Sequence, residues 1–134
     1  VTSALFGAAH LANPGEHPFA IANTVLVGVV FAYSVRVTGS LWWAIGFHAV
    51  WDWIQSYLLG TADSGQISAG RLMIATPAGP EWLSGGTAGP EGSALCTVTL
   101  LIVLVALVVL RRRFDPGVSS TGAGRPDPQE SGAG

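Results

Sequence analysis

Two ionisable side chains, His48 and Asp52, stand four residues apart inside an otherwise apolar run from Leu41 to Leu59. At helical spacing they share one face, within reach of each other or of a common ligand. A carboxylate beside an imidazole can orient the ring and raise its basicity, which serves acid–base catalysis and metal binding alike. The plainer role is a buried His–Asp bond that fixes helix packing. His10 is a second imidazole, with Phe6 one helical turn before it. Two helices joined through one further helix are readily neighbours, so His10 and His48 can meet across a bundle. Two histidines and one aspartate would furnish three ligands to a divalent metal such as zinc, the usual number at a catalytic site. His17 follows a turn and reads as a helix-entry residue at a water boundary. The expectation is that His10, His48 and Asp52 converge on one wet pocket between helices.

The elements that must position these groups are apolar helices. Residues 1–12 are too short to cross a bilayer, which needs about 20 residues. Asn13-Pro14-Gly15-Glu16 is a turn signal. A long apolar stretch over residues 17–37 holds Asn23, Thr24 and Ser34 and ends at Arg36, which can snorkel to an interface. Ser40 suits the cap of a third helix over residues 41–59, where Trp42 and Trp43 fit an interfacial aromatic belt. Residues 60–93 form an extramembrane loop with two copies of Ala-Gly-Pro-Glu, at 78–81 and 88–91, read as simple turns. The apolar stretch 71–75 suits a membrane surface. Residues 94–110 are almost purely aliphatic and form the clearest span, stopped by Arg111-Arg112-Arg113. Residues 111–134 read as this basic stop followed by a disordered tail, and the arginines place the C-terminus in the cytoplasm. The predicted fold class is all-α, a polytopic transmembrane helical bundle with three full spans and a leading partial helix over residues 1–110.

Composition agrees with lipid as the solvent. Of the 134 residues 10% are charged and 49% hydrophobic, with mean hydropathy +0.49; a soluble domain averages about 25% charged. The net charge of −2 leaves no basic stripe to follow a phosphate backbone, so no nucleic-acid partner is expected. The single cysteine, Cys96, lies in an apolar run and cannot form an internal disulfide. It reads as a small lipid- or core-facing residue. The apolar opening Val-Thr-Ser-Ala-Leu-Phe has no charged flank and reads as a helix already under way rather than a signal peptide.

These residues carry a resemblance. Leu5-Phe6-Gly7-Ala8-Ala9-His10-Leu11 resembles the FxxxH motif of the CAAX-processing (CPBP, Abi) intramembrane proteases. Trp42-Trp43-Ala44-Ile45-Gly46-Phe47-His48-Ala49-Val50-Trp51-Asp52 resembles their later HxxxN/D motif, with Trp43 and Gly46 as its preceding aromatic and glycine. Gly46 is expected to permit close helix approach. The loop around Gly79-Pro80-Glu81-Trp82-Leu83 and Gly85-Gly86 to Gly92 resembles the stretch before the last helix of such proteins. The resemblance spans about residues 1–110.

It implies peptide-bond hydrolysis inside the membrane, with the bilayer and a peptide or protein substrate as partners. His10 would help hold the water or a metal. His48 and Asp52 would stabilise the oxyanion or orient the water. Asp52 stands where asparagine is common, and an ionised aspartate cannot donate a hydrogen bond, so orienting or metal duty suits it better. The family's EExxxR motif, whose glutamates activate the water, does not occur in this sequence. Glu16, Glu81, Glu91 and Glu130 are isolated and lie outside the apolar helices. The chain is therefore expected to be the C-terminal portion of such a protease in a bacterial-type plasma membrane, inactive on its own. Both metal-dependent and metal-free hydrolysis stay open. Two further readings are a non-catalytic membrane scaffold or bacteriocin-immunity-type protein on the same fold, and a metal-binding membrane module, with haem disfavoured by Asp52.

Overall fold

The structure, a computed structural model, describes residues 1–114; the expected disordered tail lies, from residue 115 on, outside the described residues. The described chain is helical and holds no named strand. It begins with α1, Thr2–Ala9, and continues with the long α2, Pro18–Thr38. Pro18 starts α2 at a position that needs no amide hydrogen, and the ring nitrogen Nδ1 of His17 accepts from the Ala20 amide at 3.3 Å. His17 is thus the N-cap of α2. Gly39 ends the helix with φ +69°, its amide donating to the Val35 carbonyl.

Next come α3, Trp42–Asp52, and a π-helical stretch, Trp53–Leu59. Ser40 Oγ accepts from the Trp42 amide at 3.2 Å. After a loop come α4, Glu81–Ser84, two 3-10 turns at Gly86–Ala88 and Pro90–Gly92, and α5, Ala94–Phe114. The backbone of α5 runs on through the three arginines.

Of the three spans expected, two helices are long and apolar enough to cross a membrane, Pro18–Thr38 and Ala94–Arg113. The third run is divided: α3 is regular for 11 residues and then widens into 7 residues of π-helix. The packing order is α1 on α2, α2 on α3, and α2 on α5.

The face that α2 buries carries Ala20, Asn23, Thr24, Gly28, Val30 and Ser34, small or polar residues at helical spacing. Leu95, Val98, Leu101, Ile102 and Val105 of α5 are exposed. Only 17% of the apolar window of α5 is buried. A small and polar buried face on α2 and exposed aliphatics on α5 suit hydrocarbon surroundings. The apolar core is small: Val30, Cys96, Leu100 and Leu107 are buried, with Trp43 and Trp51 packed against them.

Candidate functional site

Glycines bring α1 onto α2. A Cβ at Gly28 would stand 2.9 Å from the Ser3 Cα, and one at Gly7 would run into the Val25 side chain. Gly46 takes no such part, because a Cβ there would meet nothing within 4 Å. The close approach that sequence assigns to Gly46 is made by Gly7 and Gly28 instead.

This contact sets His10, the residue that ends α1, beside α2 and α3. His10 Nδ1 lies 2.7 Å from the Phe6 carbonyl oxygen. A carbonyl can only accept, so Nδ1 is the donor, which leaves Nε2 with a lone pair whenever the ring is neutral. The Phe6 ring neighbours both imidazoles, 4.8 Å from His10 and 5.9 Å from His48 by centroids, and Phe31 lies 5.4 Å from His48. His10 and His48 line one cavity, together with Asn23, Trp51, Ser64 and Glu91. Its volume of about 20 Å³ has room for about one water.

Asp52 does not line that cavity. Its Oδ1 lies 3.5 Å from His48 Nε2 and is buried without a hydrogen-bond partner. The pair faces each other at more than hydrogen-bond length. The expected trio thus divides: two imidazoles share the cavity and the carboxylate stands behind His48. Oxygens of Asp52, Asp63 and Glu91 all lie within 4.8 Å of one another. Asp63 accepts from Ser56 Oγ at 2.6 Å.

Trp43, Phe47 and Trp51 stack along α3 with centroid separations of 5.2 and 6.1 Å. The stack fixes the Trp51 indole, whose Nε1 donates to Glu91 Oε1 at 3.3 Å. Glu91 Oε2 accepts from the Ser64 amide at 2.9 Å and from Ser64 Oγ at 2.6 Å. Burial raises the Glu91 carboxyl above its ordinary value; the Ser64 hydroxyl counters this, and the charge of Asp63 adds to it. Burial likewise raises Glu16, helped by Glu91 and opposed by His10 and His17.

The Glu91 backbone is pinned from α2. Asn23 Nδ2 donates to the carbonyls of Glu91 at 2.7 Å and Ser93 at 3.1 Å, while Asn23 Oδ1 accepts from Thr97 Oγ1 at 2.7 Å. Sequence reasoning missed Asn23, Ser64 and Glu91 as lining residues of the cavity. The one signal pointing to them was an amide inside an apolar span.

One donor pair has a spacing that suits a metal. A tetrahedral zinc with ligands at about 2.0–2.1 Å sets neighbouring donor atoms ~3.3 Å apart. His48 Nε2 and the orphaned Asp52 Oδ1 stand near that spacing at 3.5 Å.

Residues 1–54 match the family model described as type II CAAX prenyl endopeptidase, Rce1-like. No curated protein and no solved structure matches the chain. The matched stretch holds Phe6, His10, Trp43, Gly46, His48 and Asp52 and ends before the loop that carries Glu91. Motifs and family match meet on the same residues: over residues 1–54 the chain is similar to the Rce1-like, type II CAAX prenyl endopeptidase family.

Proposed function

We propose that this chain forms the histidine-bearing part of an intramembrane endopeptidase that hydrolyses a peptide bond of a prenylated, CAAX-type substrate. One observation carries this reading: two imidazoles on different helices line a single water-sized cavity. His10 offers the Nε2 lone pair to a water hydrogen. His48 lines the same cavity, where a protonated ring would donate to the oxyanion that forms on the scissile carbonyl. Asp52 acts on His48 through charge and orientation. A divalent cation such as zinc, if bound, would be held by His48 and Asp52 and would supply Lewis acidity.

The same reading makes the protein a multi-pass integral membrane protein of a bacterial-type plasma membrane, with residues 1–110 as the membrane domain. The test is cleavage of a farnesylated CAAX peptide by the full-length protein in lipid vesicles. His10→Ala and His48→Ala are each expected to lower kcat by about 100-fold. Asp52→Ala is expected to fall with them. Equal rates in wild type and all three variants would remove the catalytic reading.

A second reading, a non-catalytic scaffold or immunity-type protein, is favoured by the absence of EExxxR from these residues. It is the outcome to adopt if the wild type cleaves nothing.

A further inference from the structure

The loop after the π-helical stretch holds a row of large aliphatic side chains in the open. Leu72, Met73 and Ile74 are 63%, 45% and 73% exposed. Their backbone is nonetheless tied down. A helix end leaves its last carbonyls unpaired, and this segment supplies the donors. The Leu72 amide donates to the Tyr57 carbonyl at 2.8 Å, the Ala75 amide to the Leu59 carbonyl at 3.0 Å, and Arg71 Nη1 to the Gly60 carbonyl at 3.2 Å. Gly60, at φ +64°, permits the approach, since a Cβ there would collide with the Met73 carbonyl. Residues 71–75 are thus a fixed cap on the end of the third apolar run. The same loop is bonded to Gly15 just before α2 and leads into α5 at Ala94. In the spanning arrangement proposed above, the cap lies at the membrane boundary opposite Arg111, Arg112 and Arg113.

We propose that residues 71–75 are a membrane anchor, with Leu72, Met73 and Ile74 seated among the upper acyl chains of the leaflet opposite those arginines. This rests on the membrane placement given above and not on peptide cleavage. Tyr57 and Leu59, whose carbonyls hold the segment, are themselves exposed, so apolar surface runs from the helix onto the cap. Tyrosine at a helix end is typical of the membrane–water boundary. The only charge in the segment is Arg71, a cation that suits headgroup phosphates. The backbone sets the depth. With the Leu72 and Ala75 amides already paired to the helix, less polar surface has to leave water. The amides of Met73 and Ile74 make no hydrogen bond among the described residues, so the backbone stays at headgroup level, where water reaches it, and only the side chains enter hydrocarbon. The anchor fixes the height of the loop whose Ser64 and Glu91 line the cavity.

The experiment uses the full-length protein, freed of native cysteines and carrying one bimane-labelled cysteine at a time, in phosphatidylcholine vesicles. Three quenchers are compared: iodide in the water, a lipid nitroxide near the top of the acyl chain, and one near its end. Labels at Leu72→Cys and Ile74→Cys are expected to be quenched several-fold more by the shallow nitroxide than by the deep one, and little by iodide. Glu81→Cys, on an exposed turn of the same loop, is expected to answer to iodide alone. Ile102→Cys and Val105→Cys, exposed on α5, are expected to answer to the deep nitroxide. Iodide quenching at Leu72→Cys and Ile74→Cys equal to that at Glu81→Cys would put the segment in water and overturn the anchor. Protection there from all three quenchers would mean that protein covers it, and would overturn the lipid assignment too. Absence of nitroxide quenching at both Ile102→Cys and Val105→Cys would remove the membrane placement, and the anchor with it. Cleavage is not a readout, so loss of the peptidase reading alone leaves the anchor standing.

Discussion

A primary amide offers two donors and one acceptor, and Asn23 uses both kinds of atom inside the protein, where it is 3% exposed. Asn23→Leu is close in volume but would strip hydrogen bonds from two carbonyls and the Thr97 hydroxyl. The expected cost is about 2–4 kcal/mol, read as a lower thermal midpoint in detergent. Peptide cleavage should fall with it, because the carbonyl released is that of Glu91. Asn23→Asp should be worse than Asn23→Leu, since it sets a carboxylate against two carbonyl oxygens. At this scale the sequence disclosed what is local. Phe6 with His10, and His48 with Asp52, are four residues apart, so helical geometry alone pairs them. Asn23 and Glu91 are 68 residues apart, and nothing in either neighbourhood announces the other. Asp52 was legible as a neighbour of His48 but not as a residue outside the cavity, because a shared helix face does not say which side of the ring the carboxylate meets.

Among the elements, the paired Ala-Gly-Pro-Glu turns give the sharpest contrast. Gly79 and Gly89 both have positive φ, +83° and +91°. Alanine at either should pay the left-handed strain of about 1–2 kcal/mol. At Gly89 its Cβ would also collide with the Ala62 carbonyl, while at Gly79 it has room. Gly89→Ala is therefore expected to destabilise the fold by at least about 1 kcal/mol more than Gly79→Ala, measured as the difference between their midpoints in one detergent. Sequence could not tell the copies apart, since identical tetrapeptides carry identical propensities and tertiary packing distinguishes them. The long helices α2 and α5 were legible as unbroken apolar runs. The change from α to π after Asp52 was not, because Trp53–Leu59 has ordinary helix-compatible residues. What accompanies the wider turn is a contact across the loop: the Gln55 side chain donates to the Ala62 carbonyl at 2.9 Å, and its own carbonyl accepts from Thr61.

At the scale of the whole molecule, polar groups point inward and branched aliphatics outward, which suits hydrocarbon surroundings. With Arg111, Arg112 and Arg113 closing α5, a reporter fused after the last residue is expected to lie in the cytoplasm. A phosphatase that works only outside the membrane should stay silent there, and a fluorescent protein should light up. Activity of the phosphatase would reverse the orientation. The loop before α5 is fastened at several points: Thr87 to the Gly15 carbonyl at 3.0 Å, Ser64 to Glu91, and the Glu91 backbone to Asn23. So many fastenings leave little freedom for a hinged cover on that side. On the opposite flank a groove of about 300 Å³ runs past Gly28, Ala32 and Ile45 and shares Phe6, Phe31 and His48 with the cavity. If the proposed peptidase activity holds, a prenyl tail would reach the cavity through this groove rather than past the fastened loop.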